Sequence, residues 1–172
     1  MRDLGDILRQ QQTAGFPAFS GAHVAAVIPV SAAFLNQLAA WVLPSDTPVF
    51  DIDIDPQPDN ALRIRFRIAR APVLPRLALT LLIERQPQLP DSPVLVLRLA
   101  SSAVTILATA ASRFFQVLPP GLRFDHDLLQ VDLGELLRQR GAAQWLQYVQ
   151  SIEVTTAPGT VLLSVRASVD AP

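Results

Sequence analysis

The sequence predicts an α+β domain: a curved, mostly antiparallel meander of strands carrying two apolar-faced helices. Three observations predict it. Residues 48–70, PVFDIDIDPQPDNALRIRFRIAR, alternate apolar and charged residues with the period of a strand. Residues 102–118 change to the helical period, as does the shorter stretch after Ser31. Proline- and glycine-rich turns separate neighbouring strand patterns, which suits antiparallel pairing between sequence neighbours.

The elements follow in order. Residues 1–12 offer a short amphipathic helix through Leu4, Ile7 and Leu8, and residues 13–20, with Gly15 and Pro17, read as a linker. The domain division is therefore 1–20 as N-terminal helix and linker, and 21–172 as a single domain. Gly21–Val30 reads as a strand. Ser31 is placed to cap the following helix, AAFLNQLAAWVL, whose apolar stripe runs through Phe34, Leu35, Leu38, Trp41 and Val42. Pro44 ends it.

A charged hairpin comes next. Phe50, Ile52 and Ile54 alternate with Asp51, Asp53 and Asp55; Leu62, Ile64, Phe66 and Ile68 alternate with Arg63, Arg65 and Arg67. Pairing Ile54 with Leu62 sets Asp53 opposite Arg63 and Asp51 opposite Arg65, and a slip of two residues still matches acid to base. Such cross-strand pairs contribute about 0.2–1 kcal/mol each. The signs orient the strands while the apolar face supplies most of the stability.

Leu77–Arg85 and Val94–Leu99 read as further strands, the first with Leu77, Leu79, Leu81 and Ile83 on one face. Ser102–Leu118 reads as a helix with a stripe of Val104, Leu107, Ala111, Phe114 and Leu118, stopped by Pro119, Pro120 and Gly121. Leu129–Leu133 is a short strand, and Glu135–Arg140 a turn or two of helix ended by Gly141. A closing hairpin pairs Val149–Thr155 with Thr160–Val169.

Composition bounds what the chain does. At 172 residues it suits one domain with a real core. Half of it is hydrophobic, only 17% is charged, and its mean hydropathy is positive. No run reaches the roughly 18 apolar residues of a membrane-spanning helix, so no transmembrane segment is expected, although so oily a chain suits peripheral contact with a membrane. The net charge of −1 provides no field for nucleic acid. Its fourteen basic residues are all Arg. The absence of cysteine excludes disulfides, thiol catalysis and Cys-ligated zinc. The N-terminus has no apolar signal-like region, so the expected compartment is the cytoplasm if Met1 is native, and the periplasm if a signal has been removed.

Motifs for chemistry are sparse. Asp51, Asp53 and Asp55 stand about 6.5–7 Å apart along a strand, too far for one calcium ion without a loop, and the arginine row beside them reads as their counter-charge. Asp125-His126-Asp127, with Asp132 nearby, matches no specific metal spacing and reads as a loop. No serine has nucleophile-elbow context, and seven glycines leave no phosphate-cradling loop. No catalytic residue, metal or cofactor is expected.

Pro29-Val30-Ser31 enters a helix with Leu35-Asn36-Gln37-Leu38, long alternating strands follow, and an apolar helix ends in Leu118-Pro119-Pro120-Gly121. A short Val131-Asp132-Leu133 strand and a closing Ser151-Ile152-Glu153-Val154 … Pro158-Gly159-Thr160-Val161 hairpin complete the order. This order of elements resembles the tubular lipid-binding (TULIP) superfamily, in particular its small bacterial single-domain members. The resemblance covers about residues 21–169. It implies a highly curved sheet wrapped around one long apolar helix, with a second amphipathic helix, and a groove that holds acyl chains or other apolar ligands. It implies no enzymatic activity.

The expected function is non-enzymatic binding of a lipid or other long apolar molecule. The apolar lining expected from the inward faces is Phe34, Leu38, Trp41, Ile52, Ile54, Ile64, Phe66, Leu79, Leu81, Leu107 and Phe114. The alternative is a dry-cored interaction module that self-associates or binds a partner protein through a sheet edge or the N-terminal amphipathic stretch.

Overall fold

The structure is a computed structural model that describes residues 14, 19–42, 49–68, 75–100, 118 and 120–169. The chain forms nine strands and two short α-helices among these residues. β1 (His23–Ser31) leads into α1 (Ala32–Val42). β2 (Val49–Gln57), β3 (Ala61–Ile68), β4 (Leu77–Arg85) and β5 (Val94–Leu99) follow. β6 (Leu122–Asp125), β7 (Leu128–Asp132) and α2 (Leu133–Gln139) come next, then a 3-10 helix (Ala143–Tyr148), β8 (Val149–Ala157) and β9 (Thr160–Ser168).

All pairings are antiparallel, but they form two sheets rather than one meander. The first has the order β1-β9-β8, and the second the order β2-β3-β4-β5-β7-β6. The long apolar helix expected over Ser102–Leu118, with Leu107 and Phe114, lies outside the described residues apart from Leu118, as does nearly all of the expected 1–20 segment.

The charged hairpin forms in the slipped register. Ile54 lies opposite Ile64, Asp53 opposite Arg65 and Asp55 opposite Arg63, not Ile54 opposite Leu62. A bulge at Asp51, with φ of 55°, absorbs the irregularity between Phe50 and Asp53. The ionic face survives the slip because every second residue carries the right sign. Arg65 lies 3.5 Å from Asp53 and 3.0 Å from Asp55, and Asp51 takes both Arg67 and Arg76 at 3.3 Å.

The opposite face of this sheet is apolar. Cross-strand rows Ile54–Ile64–Leu79 and Leu62–Leu81–Leu99 continue into Leu97–Leu129. Phe66, Leu81, Leu95, Leu97 and Leu99 are buried there against Val154 and Val161 of the first sheet. The core thus lies where the two sheets face each other.

Side-chain amides tie the sheets together. The Asn36 Oδ1 accepts from the backbone N–H of Ile54 (2.6 Å), and its Nδ2 donates to the Ile54 carbonyl (3.1 Å). Gln86 does the same for Val154, donating through Nε2 and accepting through Oε1 at 2.8 Å each. Ile54 is on edge strand β2 and Val154 on edge strand β8. Each carboxamide therefore acts as a surrogate peptide group, satisfying both polar groups of an edge residue. The Thr156 hydroxyl donates to the Gln57 carbonyl (2.5 Å), and Gly159 N–H donates to the Pro56 carbonyl (2.9 Å), at the same end of the molecule.

α1 begins as expected, with Ser31 Oγ accepting from the Phe34 N–H at 3.3 Å. Its buried face differs from the expected stripe. Leu35 packs against the core, and Leu38 and Ala39 are half-buried, but Phe34 is 50% and Trp41 65% exposed. The Asn36 bonds to β2 rotate the inward face by about one residue, roughly 100°, away from Phe34 and Trp41. Trp41 instead stacks under the Arg140 guanidinium, 3.5 Å from the ring centre.

Replacing Asn36 or Gln86 by Ala leaves an edge residue with two unmatched backbone groups. Each substitution is expected to lower stability by about 1–3 kcal/mol, read as a fall in the urea midpoint at unchanged slope.

Candidate functional site

The most distinctive surface of the protein is the inner face of the three-stranded sheet. In its register Val161 lies opposite Val30, Leu163 opposite Ile28, Val165 opposite Ala26 and Ala167 opposite Val24. Alternation places all eight side chains on one face. At the pinned end Val161 is buried and Val30 packs against the core. Toward the other end the face opens, with Ile28 48% and Val24 60% exposed. Among the described residues, the six-stranded sheet packs over the Val30–Val161 end of this apolar face, and Val24 and Ile28 toward the other end are exposed.

A pocket of about 270 Å³ sits at the open end, with an apolar wall. Its floor is Val24, Ala22, Ala167 and Val169, and Phe19, Trp145, Tyr148 and Ser168 stand around it. The local sequence explains its shape. The 3-10 helix has i and i+3 side chains eclipsed, so Trp145 and Tyr148 sit side by side, with ring centres 6.4 Å apart and planes tilted by 57°. That helix runs directly into β8, whose first residue Val149 lies opposite Ala167. Small residues at Ala22 and Ala167 leave the volume that Trp145 and Tyr148 border. Pockets of roughly 300–1,000 Å³ hold small molecules; this one matches the end of a longer apolar group.

None of the nine described residues among the eleven expected to line a groove borders this pocket. Phe66 and Leu81 are buried in the core cluster, and Ile52, Ile64 and Leu79 pack against it. Ile54 and Leu38 are half-buried, Phe34 and Trp41 exposed. Leu107 and Phe114 lie outside the described residues. The pocket residues carried a weak signal in the sequence. Trp145 and Tyr148 stand three apart in a chain with only 6% aromatics, but the stretch shows neither strand nor α-helical periodicity.

The acid–histidine cluster takes a structural form. Asp125 and His126 contact each other at 2.7 Å on the exposed β6–β7 turn, where His126 has φ of 55°. Asp132 is not part of that cluster. Its Oδ1 accepts from the Glu135 N–H at 2.9 Å and caps α2. Among the described residues no group of three or more His, Asp or Glu side chains is placed to hold a metal ion. Among the same residues, no helix is long and apolar enough to cross a membrane.

No protein-family model matches the chain, and no curated protein or solved structure matches it. The functional reading therefore rests on the chain's own geometry.

Because His126 serves only its turn, His126→Ala is expected to shift Tm by less than about 2 °C. Added chelator is expected to shift it no further, both read by differential scanning fluorimetry.

Proposed function

We propose that the protein is a non-enzymatic carrier or receptor for a lipid or other long apolar molecule. The ligand's end occupies the pocket at Val24, Ala167 and Trp145, and its chain lies along the inner face of the three-stranded sheet.

The observation that supports the reading is the exposure of one end of the inner face among the described residues. Val24 and Ile28 belong to the same apolar row as Val30, yet they stay exposed while Val30 packs into the core. Soluble monomers rarely leave such a row open without a binding role. The driving force is desolvation, about 0.8 kcal/mol per methylene. About eight methylenes give a gross gain of about 6 kcal/mol, part of which is lost in ordering the ligand. The near absence of fixed polar groups in the pocket predicts selection by length and shape rather than by headgroup.

The test is titration of delipidated protein with a fluorescent fatty acid, beside native mass spectrometry of the protein as purified. Saturable binding is expected, weakened at least about tenfold by Ala167→Phe, which fills the pocket floor while the fold is kept. Folded protein that shows no saturable binding and carries no apolar ligand overturns the proposal.

A further inference from the structure

We infer that the protein forms a two-fold dimer in which β1 pairs antiparallel with β1 of a second copy, centred on Ala25. Among the described residues the two sheets have four edge strands, and three are protected. β2 carries Asp51, Asp53 and Asp55 and is bound by Asn36. β8 carries Glu153 and is bound by Gln86. β6 has only four residues, two of them Arg123 and Asp125. β1 is the exception: nine residues long, HVAAVIPVS, with no acid, lysine or arginine, and exposed along its whole length except Val30. Natural edges are blunted by charge, proline, brevity or a covering element, and β1 has only Pro29, near its C-terminal end.

The absence of charge selects the occupant. In a symmetric strand pair every residue near the axis meets its own copy or a close neighbour, so a charge there opposes a like charge. β1 offers alanine and valine instead. Val27 is 64% exposed on one face, and Val24 and Ile28 are exposed on the other. A second copy of β1 therefore buries apolar residues on both faces at once.

The backbone sets the register. Val169 N–H bonds to the Ala22 carbonyl and Ala32 N–H to the Gly159 carbonyl, with an unbroken ladder between. Even-numbered residues of β1 thus point their polar groups at β9. The polar groups of His23, Ala25, Val27, Pro29 and Ser31 point outward. Pro29 has no N–H to give. Centring the pair on Ala26 or Val27 sets Pro29 against His23 or Ala25 of the second copy and leaves that residue's carbonyl without its donor. Centring on Ala25 pairs Ala25 with Ala25 and His23 with Val27, so each exchanges both bonds, and Pro29 falls at the margin. The axis is perpendicular to the sheet, so the two inner faces join on one side, with the Val24 pockets flanking the axis.

The protein has no native cysteine, so single cysteines report the register directly. Ala25→Cys, Ala26→Cys and Val27→Cys are made in turn and oxidised mildly in the full chain. With the axis at Ala25, Cα atoms at position 25 stand about 5.5 Å apart, within reach of a disulfide. Those at position 27 are displaced by four residues, about 14 Å along the strands. Crosslinked dimer is expected from Ala25→Cys alone. Sedimentation of the native chain is expected to show a concentration-dependent dimer. Val27→Lys, at an exposed site outside the core, is expected to raise its dissociation constant at least about tenfold. Crosslinking only at 26 or 27 overturns the register. A native chain monomeric at all concentrations, or a dimer unaffected by Val27→Lys, overturns the proposal itself.

Discussion

Two carboxamides determine how this molecule is put together. Asn36 and Gln86 each present a peptide-like pair of donor and acceptor to one residue of an edge strand, Ile54 in one sheet and Val154 in the other. Asn36 comes from the helix that follows β1 and Gln86 from the turn after β4, so each bond pair reaches from one sheet to the other. The same contacts close two edges that are otherwise open to foreign strands. They also hold the sheets face to face at one end, where Phe66, Leu81 and Leu97 meet Val154 and Val161. The rest of the three-stranded sheet projects beyond this joint. Among the described residues no strand opposes its apolar face there, and Val24, Ile28 and the pocket follow from that overhang.

Much of the secondary structure was legible because it obeys local rules. The alternation of Ile and Leu with Asp and Arg identified β2 and β3, the row Leu77, Leu79, Leu81 and Ile83 identified β4, and Ser31 marked the start of α1. The register of the charged hairpin was not legible. Asp and Arg recur every second residue, so two registers match signs equally well, and the bulge at Asp51 belongs to the slipped one. β6 was missed because four residues give too short an alternation, and the left-handed backbone of His126 that forms its turn has no obligatory sequence signature.

The division into two sheets was hidden for a different reason. It depends on contacts 18 and 68 residues apart in the chain, and an asparagine in a helix or a glutamine in a turn does not announce a distant backbone partner. The same bond from Asn36 turned α1 away from the face its apolar stripe implied, exposing Phe34 and Trp41. The candidate site was correspondingly less legible than the fold. Inward alternation correctly found apolar faces, but an apolar residue looks the same in a packed core and in a pocket wall. What separates Phe66 from Val24 is whether an opposing sheet reaches it.

The open face also links the ligand proposal with the edge of β1, since Val24 contributes to both. Acyl chains labelled with bromine at the terminal carbon quench tryptophan on contact, and the chain has only Trp41 and Trp145. In a Trp41→Phe protein the signal comes from Trp145 alone, beside the pocket. Saturable quenching of Trp145 is the predicted result. A ligand that binds the folded protein and leaves Trp145 unquenched at saturation contradicts a site at the overhanging end of the three-stranded sheet.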